Sequence, residues 1–234
     1  MLEEAGVDNV VAINFDKEFA AQGARDFVRN FLIEKFHPSV IITGYDHRFG
    51  NNREGDYHLL EEEGTIAGFK VKEIPGHVVE KITISSTKIR EALKMGEVEL
   101  ANQQLGYNYR LGGKIIHGNE LGSKIGFPTA NLEVHREKLI PADGVYAVKA
   151  VINNELLPGM MNIGYRPTVD GTSRVIEVHI LDFNREIYDE NLDILFYKRL
   201  RDERKFDGIE ALKAQLANDR QETKAFFSVN QGSF

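Results

Sequence analysis

The sequence KIIHGNELGSKIGFPTANL, residues 114–132, combines an apolar pair, three glycines and a Phe-Pro-Thr-Ala-Asn segment. Glycines allow close backbone approach, and Pro128 biases Phe127 towards an extended conformation. Thr129 and Asn131 are two apart, so an extended backbone would direct both side chains to one side. Neutral oxygens of this kind suit Mg²⁺, which keeps waters and shares phosphate ligands. On composition alone, an ordinary Thr- and Asn-bearing turn between two strands is the favoured explanation.

Length and composition limit the classes of protein to which the chain can belong. The chain has 234 residues, which is enough for one large domain or two ordinary ones, and its lack of cysteine excludes disulfides, thiolate metal sites and cysteine nucleophiles. It has no long apolar run and begins with an acidic segment, so we expect neither a membrane helix nor a secretory signal, and we expect a cytoplasmic protein. A net charge of −7 argues against broad nucleic-acid or membrane binding but permits a local basic pocket.

The first half alternates strand and helix patterns, which predicts a parallel, doubly wound sheet. The predicted elements are strands at 7–15, 40–43 and 69–74 and helices at 24–36 and 57–63. No GxxxxGK[ST] sequence, no GxGxxG after a strand and no HExxH sequence is present. The common phosphate-loop, dinucleotide and zinc signatures are therefore excluded.

The loop GYDHRFG, residues 44–50, follows the second predicted strand at the edge where α/β sheets bind ligands. Asp46 could contact a nucleotide there, and a solvated turn closed by glycines explains the loop equally well.

The segment ISSTKIR, residues 84–90, can begin a helix with Ser85 or Ser86 as its N-cap. Free backbone N–H groups, hydroxyls and cations would then converge on an anion site. The side chains concerned are Ser85, Ser86, Thr87, Lys88 and Arg90. An ordinary N-cap followed by a basic surface turn is the more frequent meaning of such a segment.

The second half reads as β structure after a glycine-rich stretch at 106–113, so we predict domains at 1–105 and 106–234. Strands are predicted at 144–153, 159–163, 174–183 and 192–197, a turn at Asn153–Asn154, a loop at 164–171 and a final helix from 209. Short antiparallel strands followed by one helix indicate a closed barrel with a helix packed on it.

The strand RVIEVHILDF, residues 174–183, places Glu177 and His179 on one face. A carboxylate in a half-buried strand is costly unless it is paired or used, although an edge-strand glutamate facing water explains it equally well. A basic run at 199–205 follows the last predicted strand. That run is either a solvated charged surface or a clamp for phosphate or flavin.

Together these segments resemble the bacterial bifunctional riboflavin kinase/FMN adenylyltransferase family, also called FAD synthetase, over almost the whole chain. GFPTANL at 126–132, EVHILDF at 177–183 and RDERKF at 201–206 resemble its riboflavin kinase module, a six-stranded antiparallel barrel with a C-terminal helix. GYDHRFG and ISSTKIR resemble its Rossmann-like nucleotidyltransferase module.

The resemblance implies a role for each matching residue. Glu177 would be the base that takes the proton of the riboflavin 5′-hydroxyl. ATP would be bound by Gly118, Ser123, Lys124, Thr129, Asn131 and, near the adenine, Tyr188. Thr129 and Asn131 would also hold Mg²⁺, and the flavin would contact Arg201, Arg204 and Phe206. The phosphate site of adenylyl transfer would comprise Asp46, Ser85, Ser86, Thr87 and Arg90.

One family motif is missing. Members open with a strand followed by an HxGH motif that handles ATP phosphates during adenylyl transfer, and this sequence contains no HxGH. We therefore expect a riboflavin kinase beside an incomplete N-terminal domain, with FAD synthesis absent or severely reduced. The alternatives are a complete bifunctional enzyme and a non-catalytic flavin- or nucleotide-binding module. The expected partners are riboflavin, FMN and ATP, with no nucleic acid, membrane or obligate protein partner.

Overall fold

A computed structural model describes residues 2–3, 5–76, 78–79, 82–118, 121–168 and 171–229. The chain forms two compact units, Met1–Thr83 and Ile84–Phe234. In the first unit the elements are α1 (Lys17–Ala20), α2 (Ala24–Asp26), a π-helical segment (Phe27–Ile33), α3 (Glu34–Phe36), β1 (Val40–Gly44), a 3₁₀ turn (Asn51–Arg53), α4 (Tyr57–Ala67), β2 (Lys70–Ile74), β3 (Val78–Val79) and β4 (Ile82–Thr83).

Most of the predicted elements of this unit are confirmed. Residues 24–36 are helical throughout, and the helix ends at His37, whose φ of 45° is left-handed. The ending is expected because His37 precedes a proline. Strands β1 and β2 pair in parallel, with Val40 opposite Lys70, and the small core beside them is formed by Val28, Leu60 and Phe69.

The strand predicted at 7–15 is wrong. These residues form no regular element, and their large apolar side chains are exposed, Val10 by 65% and Phe15 by 78%. In the described part of this unit the parallel sheet consists of β1 and β2, and neither pairs with this segment. Apolar and β-branched composition favours a strand only where a neighbouring strand supplies the hydrogen bonds and packing.

The second unit contains the predicted closed barrel. Its elements are α5 (Ser86–Met95), α6 (Val98–Leu105), β5 (Arg110–Ile116), α7 (Leu121–Lys124), β6 (Ala130–Val134), β7 (Gly144–Ile152), β8 (Glu155–Thr168), β9 (Gly171–Ile180), β10 (Asn191–Arg201) and α8 (Ile209–Val229). Within the described residues, six antiparallel strands close in the order β10-β5-β6-β9-β8-β7. The predicted turn after β7 is confirmed, since Asn153 and Asn154 both have left-handed φ, as a tight hairpin requires.

The loop predicted at 164–171 is wrong, because β8 continues to Thr168 and β9 begins at Gly171. Glycine, proline and aspartate in this stretch are typical of a turn. The antiparallel register overrides that composition and pairs Tyr165 with Arg174 and Arg166 with Ser173.

Helices α5 and α6 pack on the barrel, and the second compact unit begins at Ile84. Their buried residues Leu93 and Val98 belong to the barrel's own core. The Asn102 side-chain amide also donates to the carbonyl of Phe196 in β10 at 2.8 Å. The glycine-rich stretch at 106–113 therefore leads from a helix of this unit directly into β5.

Candidate active site

The segment before β6 folds back sharply on itself. The Phe127 amide donates to the carbonyl of Gly122 at 2.8 Å. A methyl group at Gly122 would overlap the Phe127 carbonyl, and one at Gly118 would overlap the side-chain amide of Asn131. These two glycines therefore let the backbone approach the Thr129–Asn131 region more closely than any other residue could.

The strand register brings Asn131 and Glu177 together. Asn131 in β6 lies directly opposite Glu177 in β9 and opposite Ile116 in β5. Directly opposed residues of antiparallel strands have Cβ atoms about 4.5–5.5 Å apart and share a face of the sheet. The predicted metal ligand and the predicted base are thus immediate neighbours, although they are far apart in sequence.

Glu177 does not lie on an edge strand, because β9 is paired with β6 on one side and β8 on the other. Its side chain is 17% exposed and accepts a hydrogen bond from Arg166 Nη2 at 2.7 Å. The half-buried carboxylate is therefore paired, as its burial requires. Arg166 was not among the sequence candidates, because it lies in the stretch interpreted as a loop.

Two cavities adjoin this region, and Thr129 lines both. The first has a volume of about 210 Å³ and includes Ser123 and Tyr188 in its wall. Tyr188 is half-buried and stacks on His117, with ring centroids 3.9 Å apart. Lys124, by contrast, is exposed at the end of α7.

The second cavity, of about 220 Å³, lies between the barrel and α8. Apolar side chains form much of its wall, and they include Ile125, Phe127, Phe206, Leu212 and Leu216. Its charged groups include Arg166, Glu177, Arg201, Glu203 and Arg204. An apolar slot with a few convergent charged groups suits a flat, largely apolar ligand that carries a polar end.

The three predicted flavin residues line the second cavity, but they differ in what they contact. The Arg201 guanidinium donates to the carboxylate of Asp219 at 2.7 and 3.0 Å, and Asp219 is 2% exposed. Arg201 therefore neutralises a buried charge of α8. Arg204 donates to the Gln215 side chain and lies 5.0 Å over the ring of Phe206.

His179 joins β9 to the Pro-Thr segment. Its Nδ1 lies 2.7 Å from the carbonyl oxygen of Pro128, so Nδ1 carries the proton and donates. Its ring packs edge-on against Phe127, and burial lowers the pKa of the imidazole. The neutral ring thus fixes the backbone immediately before Thr129.

The residues predicted for the phosphate site of adenylyl transfer are described unit by unit. Asp46 is exposed in the first unit. In the second unit Ser85 is the N-cap of α5, as predicted, and its hydroxyl accepts from the Lys88 amide at 3.3 Å. The exposed residues of the two turns that follow include Ser86, Thr87 and Arg90.

Comparisons with known proteins agree with these two regions. A family model for riboflavin kinase matches residues 105–227, and one for FAD synthetase matches residues 1–88. The bifunctional riboflavin kinase/FMN adenylyltransferase of Escherichia coli K12 is 38% identical over 98% of this chain and 74% of its own length. The protein of the same name from Listeria monocytogenes is 42% identical over 97% of this chain and 72% of its own length.

A crystal structure from Streptococcus pneumoniae, described as a macrolide-efflux protein, matches with a TM-score of 0.85. It is 34% identical and covers 95% of this chain and 72% of its own. Among the described residues, no helix combines the length and the hydropathy that a membrane-spanning segment needs.

The barrel with its C-terminal helix is a riboflavin kinase domain, and residues 1–88 match the FAD synthetase family. The chain belongs to the bifunctional riboflavin kinase/FMN adenylyltransferase family. The family resemblance inferred from the sequence motifs is thereby confirmed, as is the barrel fold.

Proposed function

We propose that the barrel transfers the γ-phosphoryl group of ATP to the 5′-hydroxyl of riboflavin, giving FMN and ADP. The observation that carries this assignment is the position of Thr129, which lines both cavities, with Glu177 in the wall of the second. Two substrates that must exchange a phosphoryl group require adjoining sites with a base at their junction.

ATP would occupy the first cavity and riboflavin the second. Ser123 and Thr129 would face the phosphates from the cavity wall, Gly118 and Lys124 would lie beside them, and Tyr188 would lie near the adenine. Phe206 and Arg204 would contact the isoalloxazine, for which the apolar wall is suited.

Glu177 would accept the proton of the 5′-hydroxyl as that oxygen bonds to the γ-phosphorus. The bond between the γ-phosphorus and the β–γ bridging oxygen breaks, and ADP leaves with the bonding electrons. A correctly placed general base contributes roughly 10²–10⁴-fold to such a rate.

The donor set around Asn131 fits Mg²⁺ bound together with ATP. In the part of the chain that the structure describes, no group of three or more His, Cys, Asp or Glu could hold a metal. Thr129 and Asn131 offer neutral oxygens, and Mg²⁺ is commonly held by few protein ligands with phosphates and waters completing its shell. When bound, it would offset charge on the phosphate oxygens.

Adenylylation of FMN to FAD is the second candidate function, and the FAD synthetase match over residues 1–88 favours it. We expect it to be weak, because the sequence contains no HxGH. A cytoplasmic location and the absence of nucleic-acid, membrane or obligate protein partners stay predictions.

One assay separates these functions. The chain is incubated with riboflavin, ATP and Mg²⁺, and riboflavin, FMN and FAD are separated by chromatography. We expect FMN, its loss on chelation of Mg²⁺, and little FAD. Flavin binding without FMN would instead indicate a binding module, and rapid FAD formation would indicate the complete bifunctional enzyme.

A further inference from the structure

Arg166 occupies a distinctive position next to the proposed base. Its guanidinium lies 2.7 Å from the Glu177 carboxylate, and both side chains line the second cavity. The two side chains are 28% and 17% exposed, so the pair is largely shielded from solvent. Arg166 reaches Glu177 along the sheet, since Asn162 is the β8 residue directly opposite Glu177.

The other arginines of this cavity have different partners. Arg201 is held by the buried carboxylate of Asp219, and Arg204 contacts Gln215 and the ring of Phe206. Removing Arg201 from its partner would leave a buried negative charge uncompensated, which is strongly unfavourable. Arg166 is thus the arginine of this cavity that is paired with the proposed base itself.

The chemistry brings a phosphate to this guanidinium. A base that removes the proton of the 5′-hydroxyl lies within hydrogen-bond reach of that oxygen, roughly 2.6–3.2 Å. The same oxygen becomes bonded to the transferred phosphorus, so the phosphoryl oxygens arrive beside the Glu177 carboxylate. Two anionic groups then meet in a shielded site, where their repulsion is strong unless a cation lies between them.

We propose that Arg166 binds the transferred phosphoryl group and afterwards the phosphate of FMN, exchanging its contact with Glu177 for that phosphate. This inference rests on the proposed kinase function. A guanidinium can donate two parallel hydrogen bonds to phosphate oxygens, which suits a group whose charge is spread over three oxygens. While the cavity lacks phosphate, Arg166 neutralises the carboxylate; once phosphate is present, Glu177 is released to hold the proton.

The affinities of the two flavins provide the test, because FMN carries the phosphate and riboflavin does not. Flavin fluorescence titrations are compared for the wild type, Arg166→Gln and Arg166→Lys. Arg166→Gln should weaken FMN binding roughly ten- to hundredfold, the range for a lost charge-assisted hydrogen bond, with riboflavin binding changed less than about threefold. Arg166→Lys should recover part of the FMN affinity, since it keeps the charge and loses the paired geometry.

Arg174→Gln is the matched control. Arg174 lies in β9 and contacts Asp143 and the Pro141 carbonyl instead of Glu177. The Arg174→Gln substitution should leave the ratio of FMN affinity to riboflavin affinity unchanged. In turnover, Arg166→Gln should lower kcat for riboflavin phosphorylation with little change in the KM for riboflavin.

Equal weakening of both flavins by Arg166→Gln would overturn the proposal, because it would show that Arg166 acts only by positioning Glu177. Unchanged binding of both would overturn it as well. If Arg166→Gln does not fold, Glu177→Gln is the variant that tests the proposal. Because the competing carboxylate is removed, this variant should bind FMN more tightly than the wild type does. Unchanged or weaker FMN binding contradicts the proposal. If the wild type forms FMN but the variants do not behave as expected, only the role of Arg166 is contradicted. If the wild type binds neither riboflavin nor FMN, the proposed kinase function is contradicted as well.

Discussion

The two compact units differ in how their strands are completed. In the second unit every barrel strand is paired on both sides, and the enclosed core includes fully buried Tyr146 and Phe196. In the first unit the described parallel sheet has two strands, and Ile42 of β1 and Ile74 of β2 are 61% and 57% exposed. Closing a sheet removes its edges and makes a rigid wall. The barrel therefore holds the Arg166 and Glu177 side chains at hydrogen-bond distance on strands that have no free edge.

The largest difference between the two units is expected when a buried carboxylate is neutralised in each. Glu177→Gln should reduce kcat for FMN formation by roughly 10²–10⁴ while riboflavin still binds, because the amide cannot accept the proton. The matched control is Glu63→Gln in the first unit, where the buried carboxylate is held by Arg25 and Arg29 at 2.6 Å. Steady-state rates with flavin titrations measure both. Intact turnover in Glu177→Gln would mean that another group accepts the proton.

Core truncation tests whether the two units are stabilised independently. Phe196→Ala should lower the free energy of unfolding of the barrel by about 3–5 kcal/mol, since Phe196 is fully buried among close neighbours. Phe69→Ala should lower only the stability of the first unit, to whose small core Phe69 belongs. Denaturant unfolding of each variant, read by far-UV circular dichroism and by kinase activity, separates the two effects. If Phe69→Ala lost kinase activity at the denaturant concentration at which the first unit unfolds, the two units would not be independently stable.

Substitution of the proposed metal ligand Asn131 should have a smaller effect on activity. Asn131→Ala should raise the Mg²⁺–ATP concentration needed for half-maximal rate by about tenfold, because a group that holds or orients the metal is lost. Asn30→Ala, at an exposed helical position of the first unit, is the control and should have no effect. Titration of Mg²⁺–ATP at saturating riboflavin measures the change. Indifference to Asn131→Ala would remove the metal role.

The smallest effect concerns pH. Burial lowers the pKa of His179 below its ordinary value of 6.5, with Arg220 lowering it further and the Pro128 carbonyl and Asp182 acting in the opposite direction. As pH falls through 6.5 the unfolded chain binds a proton that the folded barrel does not, so the stability of the barrel decreases. Thermal unfolding between pH 8 and 5 should show a decrease that is reduced in His179→Gln. An identical pH profile in the variant would contradict it.

Much of the barrel was predictable because its patterns are local. Alternation along residues 174–183 predicted the faces of β9, and Asn153–Asn154 predicted the hairpin. The errors arise where the presence or absence of a pairing partner, rather than composition, decides the outcome. Residues 7–15 have the composition of a strand but pair with no strand in the described part of the chain, and residues 164–168 have the composition of a loop but are paired with β9.

Pairing partners also decide which parts of the site could be predicted from the sequence. Thr129, Asn131 and Glu177 were predicted from motifs, and the strand register places Asn131 opposite Glu177. The motif reading could not show that Arg201 is paired with Asp219, a contact that depends on where α8 packs. Nor could it reveal Arg166, because its contact with Glu177 exists only once β8 and β9 have formed.

Barrel closure also has a consequence for how the chain is made. Strand β10 completes the barrel by pairing Asn191 with Lys114 and Leu195 with Arg110. Contacts between residues so far apart in sequence are slow to form. At roughly 5–20 residues per second of synthesis, β5 must wait several seconds on the ribosome for its closing neighbour. During that interval its outer edge is unpaired and open to association with other chains, so the period of greatest vulnerability to aggregation ends when β10 arrives.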